Sequence, residues 1–473
     1  MNILNFILLV FSHYLIGWGI LRLIGVSKIS SSLQFTFVSL LFGIGFSSLL
    51  PVVLEMMSVA INPASLLTII LIVSVVPAVF WFRSSPVSSI LELIRHFRQS
   101  IRVYELVFFG VFFYLFYIGM LKCAYFPPVP RDLTSGAEAI AEYTIKEQHI
   151  NNSYFTVDLS STDNYQKPPF LLGLQIIYKT FVQPFGQVWL IIMSFSFFSL
   201  FYILVRRMIH PVFAGIVTLL LFCTPEFYGY AITMPLYDFP NTVYLFVGFY
   251  YLYRYYIDKD RTNLWLSSVG FGLATLVRPE TLFLVAMLCG FYYIWSAVKG
   301  REIISRKALM ACFVLMLTPL LIDIFTMEIF IKHFIPSGLN FGNKFNNNLL
   351  NFEPLNKRWE VLTRVLMFSG EKTPKALNRI FYAETFNIMT VFIIIEFAFV
   401  LFTRKIDFKA SVWFIFMVLV FVLLLLIGYL LPFTEFTNAK RGLFKLLPLI
   451  YVFVVNTRLM QFVSGKLTDW ELR

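Results

Sequence analysis

Carboxylates and cations gather in a polar stretch of the chain, residues 124–169, which lies between two long apolar runs. Asp132 stands near its start, and Lys167 stands near its end, directly before two prolines. Ionisable groups close to lipid cost solvation free energy, so chains that keep them there usually use them in chemistry or transport. A carboxylate can act there as a general base, and a lysine ammonium can bind phosphate at headgroup level.

A short amphipathic helix is predicted over 135–145 from the spacing of Ala, Ile and Tyr. Glu138 and Glu142 are four positions apart and share one face of it, so Glu138 is a second candidate base. The prolines predict that a further helix starts after Pro169, in the amphipathic segment 170–183. For Asp132 the alternative is an acid favoured by the helix dipole, and for Lys167 a lysine that snorkels to the headgroups.

Two more groups of ionisable residues stand where later apolar runs begin or end. Asp238 comes two residues before Pro240, where it is either a candidate catalytic acid or a helix cap. Arg278 and Glu280 flank a proline, and Arg441 and Lys445 open the last apolar run. Arginine offers a planar fork that suits phosphate oxygens, although snorkelling at helix ends is the alternative here too.

The elements that position these residues are membrane spans. Hydrophobic residues make up 59% of the chain and charged residues 14%, whereas a soluble domain has about 25% charged residues. Apolar stretches long enough to cross the hydrocarbon, at about 20 residues each, recur about thirteen times. The predicted spans are 3–25, 34–57, 64–82, 104–122, 187–205, 211–230, 240–257, 264–279, 281–298, 308–330, 388–403, 410–431 and 442–457. The sequence therefore predicts an all-α polytopic membrane protein.

The net charge of +12 would suit nucleic acid, but its distribution indicates a membrane topology instead. Basic residues concentrate in alternate short loops, which the positive-inside rule assigns to the cytoplasm. Loops 124–186 and 331–387 then lie on the outer face, so the chemistry is expected to face outward. Membrane lipids are the expected surroundings, and no nucleic-acid partner is expected.

Several classes of site are unsupported. The four cysteines lie in or against spans without metal or disulfide spacing, and there is no Walker A loop or complete GxGxxG. An ATP-driven pump and a dinucleotide enzyme are therefore not indicated.

In their order along the chain, these motifs resemble the membrane glycosyltransferases of the GT-C superfamily, most closely the protein O-mannosyltransferases and the lipid A aminoarabinose transferase. The acidic motif of the family's first outer loop matches Arg131-Asp132. The Tyr-Glu-Lys-Pro-Pro sequence of the lipid A enzyme matches Tyr165-Gln166-Lys167 and the two prolines. An Asp near a Pro, a basic residue before Pro-Glu, and an Arg before the last span match Asp238, Arg278 with Glu280, and Arg441.

The resemblance implies a GT-C fold and a sugar donor carried on polyprenyl phosphate, with a lipid, glycan or protein acceptor. It implies envelope-glycan or lipopolysaccharide modification in a bacterial inner membrane, at a site facing the periplasm or exterior. The catalytic candidates are then Asp132, Glu138 and Asp238. The expected phosphate ligands are Lys167, Arg278 and Arg441, and the other expected substrate contacts are Arg131, Tyr165, Gln166 and Glu280.

The chain departs from the family at two points. Residues 1–103 precede the usual first helix and are expected to form an added three-helix module, followed by a core at 104–330, the second outer loop and the membrane helices of 388–473. Gln166 stands where the lipid A enzyme has a Glu that helps to hold a metal. No cofactor is therefore fixed by the residues, and a divalent metal stays an open alternative.

Two other functions fit part of the pattern. An O-antigen polymerase or ligase also uses outer-loop arginines and a carrier-linked donor, but it centres on a large late loop. A transporter or flippase of a lipid-linked sugar also needs outward cations. It would favour acids and bases near the bilayer midplane and an internal repeat, neither of which is evident.

Overall fold

The computed structural model of the protein is built from helices. It describes residues 2–26, 32–83, 101–128, 136–157, 168–182, 184–300, 306–335, 356, 359, 383–404, 407–430 and 442–471. No strand occurs among these residues. The prediction of an all-α chain is confirmed for them.

Seventeen helices of seven residues or more can be numbered along these ranges. They are α1 (Ile3–Leu23), α2 (Ser32–Ser47), α3 (Leu50–Met56), α4 (Pro63–Arg83), α5 (Glu105–Tyr125), α6 (Glu138–Glu147), α7 (Phe170–Phe181), α8 (Trp189–Arg206), α9 (Pro211–Cys223), α10 (Asp238–Asp258), α11 (Arg261–Val277), α12 (Thr281–Gly300), α13 (Arg306–Asp323), α14 (Ala383–Thr403), α15 (Phe408–Leu430), α16 (Leu447–Asn456) and α17 (Arg458–Glu471). A π-helical segment, Ile324–Ile331, extends α13, and a 3₁₀ turn, Phe444–Leu446, leads into α16.

Seven helical segments in the described ranges are long and apolar enough to cross a membrane, or eight if the bent pair α16–α17 is one span. By the length and apolar composition of these helices, the protein is a membrane protein. Three of the thirteen predicted spans coincide instead with shorter apolar helices, which lie in α9, α12 and α14. A fourth helix of this kind, α7, lies outside the predicted spans. The full count of thirteen stays a prediction.

The helices α10 and α11 fall in predicted spans but are not among the seven. They pack against each other and are buried along most of their length. Their polar side chains bond inside the pair, as where Ser267 donates to the carbonyl oxygen of Gly248 at 2.8 Å. A helix surrounded by other helices need not be apolar, because its polar groups find partners inside the bundle.

Two glycines bring α1 and α2 into backbone contact. A Cβ at Gly43 would overlap the carbonyl oxygen of His13, and a Cβ at Gly17 would overlap that of Ser39. Small residues at such crossings allow close helix packing in membranes. The close crossing of α1 and α2 therefore requires glycine at positions 17 and 43.

Gly43→Leu is expected to separate α1 from α2 and to lower stability by about 1–3 kcal/mol or more, the usual cost of overpacking. Thermal unfolding of the purified protein measures this loss. Gly110→Leu is the matched control, because Gly110 is also helical but has nothing near its missing Cβ. Equal melting of the two variants would contradict the close crossing.

The amino-terminal helices are packed into the same core as the rest of the chain. Tyr244 of α10 donates to the carbonyl oxygen of Leu41 at 2.8 Å, and Gln34 donates to the Tyr251 hydroxyl at 3.0 Å. The imidazole of His13 bonds to Ser47 on one side and to Tyr178 of α7 on the other. The expected module 1–103 therefore has extensive contacts with α7, α8, α10 and α11.

The helix α7 begins at Phe170, as the prolines predict. Every residue from Phe170 to Tyr178 is buried, so other parts of the chain cover both the apolar and the polar face of this segment. A Cβ at Gly173 would overlap the carbonyl oxygen of Ser48, so α7 lies directly against the end of α2. The Phe170 ring meets Tyr244 edge to face at 6.0 Å, less than two helical turns from Asp238.

Candidate functional site

Four ionisable side chains from three chain segments meet at one end of the bundle; we call them the charge cluster. The Arg278 guanidinium lies 2.7 Å from an oxygen of Asp238 and 3.3 Å from an oxygen of Glu280. The Lys445 ammonium lies 3.5 Å from the same Glu280 oxygen. Two carboxylates and two cations therefore alternate across the ends of α10, α11, α12 and the segment before α16.

Local sequence explains why these four residues stand at helix ends. Asp238 is the first residue of α10. Arg278 ends α11 in an extended conformation, which the following Pro279 favours, and α12 starts at Thr281. Lys445 lies in the 3₁₀ turn Phe444–Leu446, and the Phe444 ring stacks on Phe227 at 4.6 Å.

Asn241, one turn into α10, ties the same helix ends together. Its side-chain amide donates to the carbonyl oxygen of Ala274 at 2.9 Å and to the Thr281 hydroxyl at 3.1 Å. The amide oxygen of this buried side chain has no hydrogen-bond partner among the described residues. The junction of α10, α11 and α12 is thus held by hydrogen bonds beneath the charge cluster.

The side chains of the charge cluster range from buried to partly exposed. The side chains of Asp238 and Lys445 are 2% and 4% exposed, whereas those of Arg278 and Glu280 are 22% and 24% exposed. Burial raises the pKa of Glu280, but Lys445 and Arg278 outweigh that effect and hold its pKa below the ordinary value. Glu280 is therefore an anion held between the two cations.

A second group of charges joins α6 to α7. The Lys179 ammonium pairs closely with Glu138 and lies 3.1 Å from Glu142, so both carboxylates reach one partner, as residues on one helix face should. Burial raises the pKa of Glu138, although Lys179 opposes the shift. One carboxylate oxygen of Glu138 is buried without a hydrogen-bond partner in the described part of the chain. Such a carboxylate accepts a proton more readily than an exposed one.

Glu55 is a buried acid that the sequence analysis did not single out. Its carboxylate accepts hydrogen bonds from the backbone N–H groups of Ile150 at 2.8 Å and Asn151 at 3.2 Å. It thereby fixes the turn that follows α6 against the end of α3. The available signal was an acid within the otherwise apolar run 34–57.

The structure describes four of the ten candidate site residues: Glu138, Asp238, Arg278 and Glu280. It brings the last three together and adds Lys445, while Glu138 pairs with Lys179 instead. The other six, Arg131, Asp132, Tyr165, Gln166, Lys167 and Arg441, lie outside the described residues.

No group of three or more His, Cys, Asp or Glu side chains among the described residues could hold a metal ion. Searches for similarity match this chain to no family model, no curated protein and no solved structure.

Proposed function

We propose that the protein is an integral membrane glycosyltransferase of the GT-C type, which moves a sugar from a polyprenyl-phosphate carrier to a lipid, glycan or protein acceptor. The observation that supports this most is the charge cluster. Its two cations, Arg278 and Lys445, lie at helix ends, and a lipid phosphate at headgroup level can pair with them by taking the place of the Glu280 carboxylate. The ordered motifs around Asp132 and Lys167 support the same function.

The reaction needs both a base and cations. The acceptor hydroxyl oxygen bonds to the anomeric carbon of the sugar, the bond from that carbon to the phosphate oxygen breaks, and the hydroxyl proton goes to a carboxylate. The carrier leaves as its phosphate and gains negative charge, which fixed cations stabilise. The energy comes from the activated sugar phosphate, so no nucleotide is consumed.

We assign different roles to the three candidate carboxylates. Asp238 is bound to Arg278, so we assign it to holding that guanidinium in place rather than to accepting a proton. Asp132 remains our candidate for the base. Glu138, whose pKa burial raises, is the second candidate.

The transfer reaction can be separated from transport in one assay. Purified protein in proteoliposomes receives a polyprenyl-phosphate sugar labelled in both the sugar and the lipid. We expect cleavage, with free polyprenyl phosphate and the sugar label on an added envelope-glycolipid acceptor. Intact donor that only changes leaflet would support a flippase and contradict this proposal.

An outward site also requires a specific topology, with thirteen spans and the amino terminus outside. In a background without the four native cysteines, Asn151→Cys and Asn347→Cys should react with an impermeant thiol reagent in intact cells. Lys307→Cys, in the first turn of α13 at the end assigned to the inside, should react only after the membrane is ruptured. The reverse pattern would put the charge cluster on the wrong face for this function.

Lys445→Gln is expected to weaken donor binding by about 10- to 100-fold, since a hydrogen bond to a charged group contributes about 1.5–3 kcal/mol. Binding of a polyprenyl-phosphate sugar to folded, purified protein measures the effect. The matched control is Lys307→Gln, which removes an exposed cation away from the cluster. Unchanged binding in Lys445→Gln would leave Lys445 with a purely structural pairing to Glu280.

A further inference from the structure

The helix α17 turns away from the core of the bundle by a bend of 60° after the segment Phe444–Asn456. Every residue of α16 is buried, whereas Ser464 is the only buried residue of α17. Four of the 14 residues of α17 are charged, and at 1.5 Å per residue it is about 21 Å long, against about 30 Å of hydrocarbon. It is therefore too polar and too short to cross a membrane by itself.

Side chains near both ends of α17 bind the ends of other helices. The Gln461 side-chain amide donates to the carbonyl oxygen of Met208, two residues after the end of α8, at 3.1 Å. The Glu471 carboxylate pairs with the guanidinium of Arg102, three residues before the start of α5. Both α5 and α8 are long and apolar enough to span the membrane. These contacts therefore place α17 at the level where the two spans end.

One face of α17 that points away from these contacts is apolar. Leu459, Phe462, Val463 and Trp470 recur at helical spacing, so they lie on one side of the helix. Phe462 and Trp470 are 63% and 72% exposed. Lys466 lies on the same side, with its ammonium 5.6 Å from the centre of the Phe462 ring. A lysine in such a position covers apolar surface with its stem and extends its charge to headgroup level.

A different face of α17 is exposed and polar. Thr468 and Asp469 are both exposed on it. Thr468 and Trp470 are two positions apart, so at 3.6 residues per turn they point in nearly opposite directions. A helix with an exposed apolar face and an exposed polar face is typical of the bilayer interface, where one face meets acyl chains and the other meets water.

We infer that α17 lies along the membrane–water interface, with Phe462 and Trp470 against the acyl chains of the bilayer and Thr468 facing water. The contacts of α17 with the ends of α5 and α8 support this level, and its two exposed faces support this orientation. The partner of the apolar face is thus the lipid around the protein rather than a second protein. The inference does not depend on the proposed glycosyl transfer.

The test uses Trp470 as a reporter of its surroundings. The protein and its Trp470→Phe variant are placed in phosphatidylcholine vesicles whose acyl chains carry bromine either near the glycerol end or near the methyl end. The difference in fluorescence between the two proteins isolates Trp470 from the other tryptophans. We expect both lipids to reduce this signal and the bromines near the glycerol end to reduce it more, because an interfacial helix buries its apolar face only about 5–10 Å into the headgroup and acyl boundary.

The matched control moves the reporter to the polar face. In Thr468→Trp/Trp470→Phe, compared with Trp470→Phe, the added indole should be quenched by acrylamide from the water and only weakly by either brominated lipid. Stronger quenching of Trp470 by the bromines near the methyl end would indicate that α16 and α17 form one span, and would overturn the inference. So would an absence of lipid quenching at Trp470, which would indicate that water or a protein covers the apolar face. The Trp470 result does not depend on folding of the double variant.

Discussion

Asp132→Asn is expected to lower sugar transfer by roughly 10²–10⁴-fold, the usual effect of losing a general base. The substitution keeps the size and hydrogen-bonding capacity of the side chain but removes its ability to accept the proton of the acceptor hydroxyl. Initial rates with a polyprenyl-phosphate sugar, normalised to folded protein, measure the change. Donor binding should stay unchanged, because the base contacts the acceptor.

Glu138→Gln is the companion variant for this prediction. If Asp132 is the base, Glu138→Gln should leave the rate constant close to normal, since Glu138 is paired with Lys179 between α6 and α7. Near-normal transfer by Asp132→Asn together with a large loss in Glu138→Gln would move the role of base to Glu138. Because burial raises the pKa of Glu138, its carboxylate is suited to accept a proton in that case.

Arg278→Gln is expected to cost roughly 10²–10³-fold in transfer, by analogy with the loss of one oxyanion donor. The same loss is expected for Lys167→Ala and Arg441→Ala, the other cations assigned to the carrier phosphate. Arg278→Gln should in addition destabilise the fold by about 3–5 kcal/mol, because it removes the guanidinium that is paired with the buried carboxylate of Asp238. Thermal unfolding and transfer kinetics measure the two effects separately.

The double variant Asp238→Asn/Arg278→Gln distinguishes catalysis from architecture. It replaces the ion pair with two neutral amides, so no buried carboxylate is left at position 238 and part of the lost stability should return. Transfer should stay low, because the cation is still missing. Recovery of both stability and transfer in the double variant would show that the pair serves only to join α10 to α11.

Features of the fold that depend on residues close together in the chain can be predicted from the sequence. Pro168 and Pro169 predict the start of α7 at Phe170, and Pro279 predicts the break that places Arg278 and Glu280 at neighbouring helix ends. The proximity of Asp238, Arg278 and Glu280 is predicted less directly. It rests on the resemblance of the motifs, in their order along the chain, to those of the GT-C family. In each case the informative residues lie within a few positions of a helix end.

Tertiary partners could not be predicted in the same way. The pairing of Glu138 with Lys179 depends on how α6 docks on α7, and the hydrogen bonds from Ile150 and Asn151 to Glu55 depend on contact across about a hundred residues of chain. The burial of α7 could not be predicted, because periodicity shows that one face of a helix is apolar but does not show what covers the other face. Composition likewise cannot show that α10 and α11 are enclosed by other helices.

The bond between His13 and Ser47 bears on the order in which the protein is assembled. Ribosomes deliver α1 and α2 to the membrane long before α7 or α10, so a buried imidazole on α1 would otherwise wait in lipid without a partner. Ser47 supplies that partner from within the first hairpin at 2.8 Å, and Tyr178 joins only after α7 has been synthesised. The first hairpin can therefore insert with one nitrogen of this imidazole already paired, and the other nitrogen gives α7 a specific place to dock.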